Sequence, residues 1–456
     1  MLTMLSRHQY SDQIYTLRLP GLRLYIVNNS QLISLIERQT KIFSFAPIES
    51  QATAMVLGTS MSTNEIMARD PGSKKNHFAA FRNTIRPVLS RGPILDTMLR
   101  RSFETMASSI GILSSPGRGQ KINLAKWTGH EIVQAGTNAE YGEVNPFKDP
   151  QVEQSWHNFV AGLPILVSGF IPWVLARKSL QAREHLALRF LSYFQNGWHV
   201  SLGSGAVMAR LRYNTATGMP LADTARGEVG ACMALLNNTI PGAFWIIYHI
   251  YSDVTVLQDI RHELITNVVR PGNGDEDNGT RMIDAESVLS ACPILQSTMQ
   301  EVFRFRGIGT GMVRSVLEDQ MLDGRFYLKK GSLIFAPNSV QHFAPSFWGD
   351  DCEEFDHRRF LSQAAGGKAA NAKFLRIFGG GGAYCPGRYF ASSLLLIFAA
   401  LVSLQLEIQP TRGQKWKDIT TEKPFGLGIA TGFLVPDHDL EVEISAVSNE
   451  KWRVKF

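Results

Sequence analysis

Phe378-Gly379-Gly380-Gly381-Gly382-Ala383-Tyr384-Cys385-Pro386-Gly387-Arg388, followed directly by the apolar run from Tyr389 to Leu406, is the stretch on which the reading of this chain turns. Four successive glycines contribute nothing to packing; they permit a sharp turn and let another group approach the backbone closely. The apolar run predicts a helix, so Cys385 falls where the loop ends and the helix begins. Unpaired N–H groups and the macrodipole at such a start favour an anion, which predicts a stabilised thiolate. A thiolate beside an open glycine loop suits a metal ligand. Two plainer readings compete with it. One is a buried free cysteine behind a flexible loop. The other is a phosphate cradle, against which the missing Gly-Lys-Ser/Thr ending counts.

The chain has 456 residues, 44% of them apolar, enough to bury a large core. No linker, internal repeat or low-complexity tract divides it. The polar clusters Arg270 to Gly279 and Ala364 to Ala372 are short, and the first reads as a surface loop. Net charge is +6, with the basic residues scattered, which predicts either a solvated surface or a face for an acidic partner or an anionic membrane. No basic run is interleaved with aromatics, so nucleic acid is not a partner. Cys232, Cys292, Cys352 and Cys385 show no Cys-x-x-Cys spacing, which disfavours zinc and iron–sulfur sites and points to a reducing, cytosolic environment. Met1 to Leu24 is broken by charges, Pro20 and Gly21, and resembles neither a signal peptide nor a membrane span. Val160 to Ala176 and Val229 to Tyr251 are apolar enough to span. Pro164, Pro172, the Asn237-Asn238 pair and Pro241 argue for buried helices of a soluble protein instead.

Alternation predicts strands over Tyr15–Leu19 and Leu22–Val27 across a Pro20-Gly21 turn, then a short helix from Asn29 to Arg38. Helical patterns follow over Asn64 to Ile110, which carries many arginines including Arg82, and from Ile122 to about Tyr141. Trp156 to Tyr193 is helical with interruptions at Pro164 and Pro172. Glu228 to Tyr251 is apolar all round and predicts a helix buried on all sides, so Asn237, Asn238 and Thr239 in its middle need partners or a function. Pro241 removes a backbone donor and frees the carbonyl of Asn237, which predicts a local opening of the helix. Glu301 and Arg304 lie three apart on one helix face and are expected to pair. Val313 to Val316 precedes a strand, turn and strand over Gly324 to Phe335, and Pro424 to Ile444 reads as a hairpin.

Phe378, Gly381, Cys385 and Gly387 match Phe-x-x-Gly-x-x-x-Cys-x-Gly, the signature of the cytochrome P450 family, at every fixed position. Glu301-x-x-Arg304 and Arg359-Phe360 resemble two further family motifs and occur in family order. The likeness spans about Tyr15 to Ile444. It implies a mainly α fold with small β-sheets, in one haem-thiolate domain over 1–456, with a β-rich part at about 10–60 and a helical haem-binding part at about 61–456. It further implies haem b (iron protoporphyrin IX) with Cys385 as axial ligand and with Phe378, Gly379, Gly381 and Gly387 around it. Arg82 and Arg314 are the implied propionate partners, and Ala383 stands where many members carry a propionate-binding arginine or histidine. Glu301, Arg304 and Arg359 are the implied buried charge triad, with His357 in place of the usual proline. A triad of this kind costs desolvation, so its expected role is to fix the cysteine loop in register. His342 resembles a structural histidine of the family and is not read as a ligand.

The family pattern Ala/Gly-Gly-x-Asp/Glu-Thr reads here as Ala234-Leu235-Leu236-Asn237-Asn238, with Thr239 one step later. Asn237 replaces the acid and Asn238 the threonine, which is similar to the branch containing sterol 7-alpha-hydroxylase and prostacyclin synthase. Asn237, Asn238 and Thr239 are the catalytic candidates for managing protons. The resemblance implies a monooxygenase of a small apolar substrate such as a steroid, a terpenoid or another secondary metabolite. Electrons come on that reading from NADPH through a separate cytochrome P450 reductase, since no flavin or nicotinamide fingerprint is fused here. A peroxide isomerase needing no reductase, and a non-catalytic haem or lipid carrier, are the alternatives. Phe159, Leu163, Ile165, Phe170, Ile171 and Trp173 are implied by the resemblance as a lid over the substrate, with plain core as the alternative for a periodic apolar helix, and the 424–444 turn is expected to touch the substrate. Location at the endoplasmic reticulum surface, with peripheral membrane contact, follows from the family. Eukaryotic members carry an upstream anchor of about 20 residues that this sequence lacks, which implies a soluble form or a truncated gene product.

Overall fold

The computed structural model describes residues 12–73, 75–114, 119–271, 280–309, 311–361, 372–421, 432–448 and 450–456. The alternating segments pair as expected: β1 (Ile14–Leu19) lies antiparallel to β2 (Leu22–Val27), with Leu19 opposite Leu22. Helix α1 (Ser30–Arg38) starts at Asn29, whose side chain accepts from the backbone N–H groups of Gln31 and Leu32 and so satisfies two orphan donors. Its Leu32, Ile33 and Ile36 recur at helical spacing and are buried.

The two-residue β3 (Phe43–Ser44) leads to α2 (Ala46–Leu57), α3 (Met61–Ala68), α4 (His77–Val88) and α5 (Pro93–Leu113). The single helical stretch expected over Asn64 to Ile110 is therefore three helices. Arg69 takes an extended conformation at the end of α3, and Gly92 and Pro93 reset the chain before α5. Ile122 and Asn123 belong to β4 (Gln120–Asn123) and not to the helix that follows, because they pair with Val442 and Glu441. That helix, α6, spans Leu124–Tyr141. Next come α7 (Pro150–Ala161), α8 (Leu163–Ser168), α9 (Pro172–Leu175), α10 (Arg177–Gln195), α11 (Trp198–Ser201) and α12 (Gly205–Ala216). Prolines at the first turns of α8 and α9 divide what hydropathy reads as one apolar stretch.

Helix α13 (Leu221–Tyr251) runs unbroken through Pro241, so the expected opening does not interrupt it. Pro241 to Ile250 are all buried, and Trp245 Nε1 donates to the Leu434 carbonyl at 2.6 Å. Surrounding packing thus holds the turn where one helical hydrogen bond is missing. After α14 (Val254–Asn267), β5 (Val269–Pro271), β6 (Thr280–Asp284), α15 (Ala285–Ser290) and α16 (Pro293–Arg306), the chain forms β7 (Gly311–Val316), β8 (Gln320–Leu322), β9 (Phe326–Leu328) and β10 (Leu333–Pro337). Val313 to Val316 lie within β7, so Arg314 stands on a strand, as the family resemblance implied. β10 lies parallel to β2 and antiparallel to β7, so the described residues form a five-stranded sheet in the order β1-β2-β10-β7-β3. The short helices α17 (Ser339–His342) and α18 (Pro345–Trp348) precede α19 (Arg388–Gln405), β11 (Leu406–Pro410), β12 (Glu441–Ala446) and β13 (Lys451–Lys455).

Helices α5, α6, α10, α13, α16 and α19 pack around one large apolar core. Both α13 and α19 are long and apolar enough to cross a membrane, yet most of each is buried inside the protein. Residues 422–431, which hold most of the expected hairpin, and most of the two polar clusters lie outside the described residues. All four cysteines are free thiols.

Candidate active site

The glycine loop closes on itself before α19 begins. The Cys385 N–H donates to the Phe378 carbonyl at 2.9 Å, and Gly379 and Gly381 take φ of +75° and +61°, which other residues rarely adopt. Helix α19 starts at Arg388, three residues beyond Cys385. The cysteine therefore precedes the helix start, and the expectation of a stabilised thiolate is corrected. Burial pushes the Cys385 thiol up, against the opposing pull of the Gly387 and Arg388 N–H groups and the Arg388 charge. A metal ion bound at that sulfur would supply the missing stabilisation, because a coordinating thiol is deprotonated outright.

Two cavities, of about 310 and 330 Å³, meet at Cys385, Ala234 and Ala391. Ala234 and Asn238, four apart on α13, are exposed in the mostly buried middle of that helix and face this space. Phe378, Gly379, Phe303 and Phe433 border the first cavity, with Phe303 stacked edge-on against both Phe378 and Phe433 at 5.5 and 5.8 Å. Gly387 borders the second, with Leu57, Phe78, Phe81, Ile85, Leu89 and Phe390 supplying its apolar wall. Gly381 borders neither and instead packs against the Glu37 backbone of α1.

The proton-handling candidates are not equivalent. Asn238 and Thr239 border the first cavity, whereas Asn237 borders neither and its buried Oδ1 has no hydrogen-bond partner. Asn238 Oδ1 accepts the Gly432 N–H at 2.6 Å, tying α13 to the segment before β12. The Thr239 hydroxyl donates back to the Leu235 carbonyl.

Alternation along β7 places Arg314 on the buried face with Met312 and Val316. There it borders the first cavity, Nη1 donates to its own strand's Val313 carbonyl at 2.7 Å, and the guanidinium lies over the Phe45 ring. Arg82 borders neither cavity; its guanidinium is paired with Glu49 at 2.8 Å. Sequence reasoning missed Arg376, which borders the first cavity two residues before Phe378. Its position on an irregular segment gave no periodic signal, although a charge two residues from the motif was the available clue.

The triad assembles as expected. Arg304 binds Glu301 with both Nε and Nη2 at 2.7 Å, and Arg359 Nε meets Glu301 Oε1 at 3.1 Å. Arg304 also donates to the carbonyls of His342, Cys352 and Glu354, and Arg359 to those of Trp348, Asp351 and Glu354. Its direct hold is thus on residues 342–354. The link to the cysteine loop runs through His342, whose Nε2 accepts the Arg376 N–H at 2.8 Å. Burial drives the His342 pKa down to about 3, so it is a neutral acceptor. None of the expected lid residues borders either cavity. Phe159 and Leu163 are core, while Phe170 and Trp173 are exposed, because α8 buries Leu163 and Leu166 whereas α9 and the turn before it carry their apolar side chains outward.

This arrangement fits the group implied by the glycine-loop signature. Ala234 and Ala391 leave room between α13 and α19, the Phe303, Phe378 and Phe433 rings border it, and Arg314 and Arg376 are cations that would face the carboxylates of a flat amphipathic ring.

A family model described as "Cytochrome P450" matches residues 230–435. The cytochrome P450 monooxygenase nodJ of Hypoxylon pulicicidum is 30% identical over 412 residues, covering 89% of this chain and 78% of that protein. Cytochrome P450 7A1 of Rattus norvegicus is 25% identical over 307 residues, 64% of this chain and 57% of the rat protein. The bifunctional cytochrome P450/NADPH–P450 reductase ALT2 of Alternaria alternata is 30% identical over 183 residues, 40% of this chain and 15% of that protein.

Proposed function

The chain belongs to the cytochrome P450 family, and on that premise we propose that it is a reductase-dependent monooxygenase of an apolar substrate, with Cys385 as the axial ligand of its haem. The observation that carries this is the position of Cys385 at the junction of both cavities, across from the only two side chains that mid-helix α13 leaves exposed, Ala234 and Asn238. When bound, haem with an axial thiolate supplies the activation of dioxygen and the insertion of one oxygen atom.

The protein's part is to hold and to exclude. The Gly387 and Arg388 N–H groups direct positive dipole at the Cys385 sulfur and offset part of the burial cost of its anionic form. Phe78, Phe81, Ile85 and Phe390 remove apolar substrate surface from water and keep water out. Asn238, one acceptor site of its carbonyl oxygen engaged by Gly432, keeps its amide donors for a ligand. An apolar cavity of this size supports a steroid, a terpenoid or another secondary metabolite as substrate. The relative fused to a reductase supports NADPH-derived electrons as the supply. The Asn237-Asn238 pair and the likeness to cytochrome P450 7A1 support the sterol 7-alpha-hydroxylase-like branch. Exposed Phe170, Trp173, Val174 and Leu175, next to Arg177 and Lys178, support peripheral contact with an anionic membrane such as the endoplasmic reticulum surface.

Reduction under carbon monoxide tests the ligand: a thiolate-type Soret band is expected, and a histidine-type band refutes it. One observation favours a second reading, a peroxide isomerase. The α13 face toward the cavity carries an amide at Asn238 and no acid, and the nearby hydroxyl is engaged with Leu235. Turnover of a hydroperoxide or endoperoxide without reductant selects that reading; oxidation of an apolar ligand only with reductase and NADPH selects the first.

A further inference from the structure

We propose that Arg376 is a binding residue for a porphyrin carboxylate, held at the cavity edge by Glu37 of α1; this rests on the haem reading above. Among the described residues, Arg314 and Arg376 are the only arginines or lysines that border the first cavity. A ring with two carboxylates needs more than one of them, and Ala383, also on that border, offers no charge.

Two guanidiniums, Arg314 and Arg376, and one carboxylate, Glu37, border this cavity, with the Arg82–Glu49 pair outside it. Glu37 engages Arg376, while among the described residues Arg314 donates to a backbone carbonyl and lies over the Phe45 ring, with no carboxylate hydrogen-bonded to it. The surplus is one positive charge, too little for a dianion if Arg314 acts alone. Arg376 spends only Nη2 on Glu37. Since a guanidinium carries five N–H donors, the remainder are free to bind a second carboxylate while Glu37 stays in place.

The loop is shaped around this pair. A side chain at Gly380 would collide with Glu37 Oε1 and come within 2.5 Å of Arg376 Nη2, and one at Gly381 would reach 3.0 Å from the Glu37 carbonyl. Two of the four glycines are thus explained by α1 delivering a carboxylate to the arginine. The His342 ring fixes the Arg376 backbone from the other side.

The test measures haem loss from the holoprotein to excess apomyoglobin for wild type, Arg376→Gln, Arg376→Lys and the double variant Arg376→Gln with Ala383→Arg. Loss of one charge-assisted hydrogen bond predicts release roughly tenfold faster or more in Arg376→Gln, near-wild-type release in Arg376→Lys, and recovery in the double variant. Holoprotein reconstituted with the dimethyl ester of haem, which lacks the carboxylates, is expected to show no difference between wild type and Arg376→Gln. Unchanged release in Arg376→Gln with the thiolate Soret band intact overturns the inference and leaves the haem reading standing. A penalty that persists with the ester also overturns it, since the residue then acts only on the loop. Absence of the thiolate band in the wild type overturns both.

Discussion

Replacing Glu301 by glutamine removes a fully buried negative charge that faces two guanidiniums. Glu301 and Arg304 have no exposed side-chain surface and Arg359 has 6%. The shape of the site is preserved, so the perturbation is electrostatic. Breaking a buried pair by removing one partner costs about 3–5 kcal/mol, because the remaining charge stays buried and uncompensated. Against a native stability of about 5–15 kcal/mol this is a large share. It lowers the folding constant by roughly a hundredfold to a few thousandfold. Asp351 also contacts Arg359, at 3.0 Å, but is 53% exposed, so Asp351→Asn costs less than about 1 kcal/mol. Urea unfolding of both variants followed by far-ultraviolet circular dichroism gives the two free energies. Haem content of the purified proteins reports whether the loop fails with the triad. A Glu301→Gln protein within about 1 kcal/mol of wild type would refute the argument that desolvated charge dominates here.

Cys385→Ser is expected to retain haem while losing the thiolate Soret band under carbon monoxide, read by difference spectroscopy. Asn238→Ala leaves the Gly432 N–H unpaired, and a net loss of about 1 kcal/mol predicts roughly fivefold weaker binding of apolar ligands in spectral titrations. The His342 pKa falls from 6.5 unfolded to about 3 folded. The unfolded chain therefore binds the extra proton between those values, and stability is full above about pH 6.5 and declines as pH falls toward 3. The slope from this group is at most about 1.4 kcal/mol per pH unit. His342→Gln, which keeps an acceptor without titrating, is expected to flatten that decline in unfolding free energies measured at pH 4.5 and 7. Trp173→Ser with Leu175→Ser is expected to reduce co-sedimentation with phosphatidylserine vesicles while leaving the carbon monoxide spectrum unchanged.

Contiguous chemistry was legible in the sequence. The loop from Phe378 to Gly387, the Glu301–Arg304 pair, the β1–β2 alternation and the Asn29-capped helix each depend on residues within a turn or two of one another. Backbone geometry alone settles such relations. The mainly helical fold followed from those motifs together with their order along the chain. Which of Asn237, Asn238 and Thr239 meets the cavity was not legible. Neighbours on a helix point about 100° apart, and only the packing of α13 against α6, α10 and α19 decides which way the helix is rotated. The family resemblance implied a lid over the α8–α9 region, and its apolar content could not decide between lid and plain core, because it does not say whether a side chain faces core, cavity or solvent.

Charge pairing shows the same division. The sequence by itself determined that a cysteine loop, an acid–arginine pair and an apolar helix with a polar middle stand in one chain. Only the tertiary structure decided that Glu49 takes Arg82 and that Glu37 reaches Arg376. Those partners lie far apart in sequence in the second case, and ion pairs act through space over a few ångströms, so their identity exists only once the sheet joining β2, β10 and β7 has brought the two ends of the chain together.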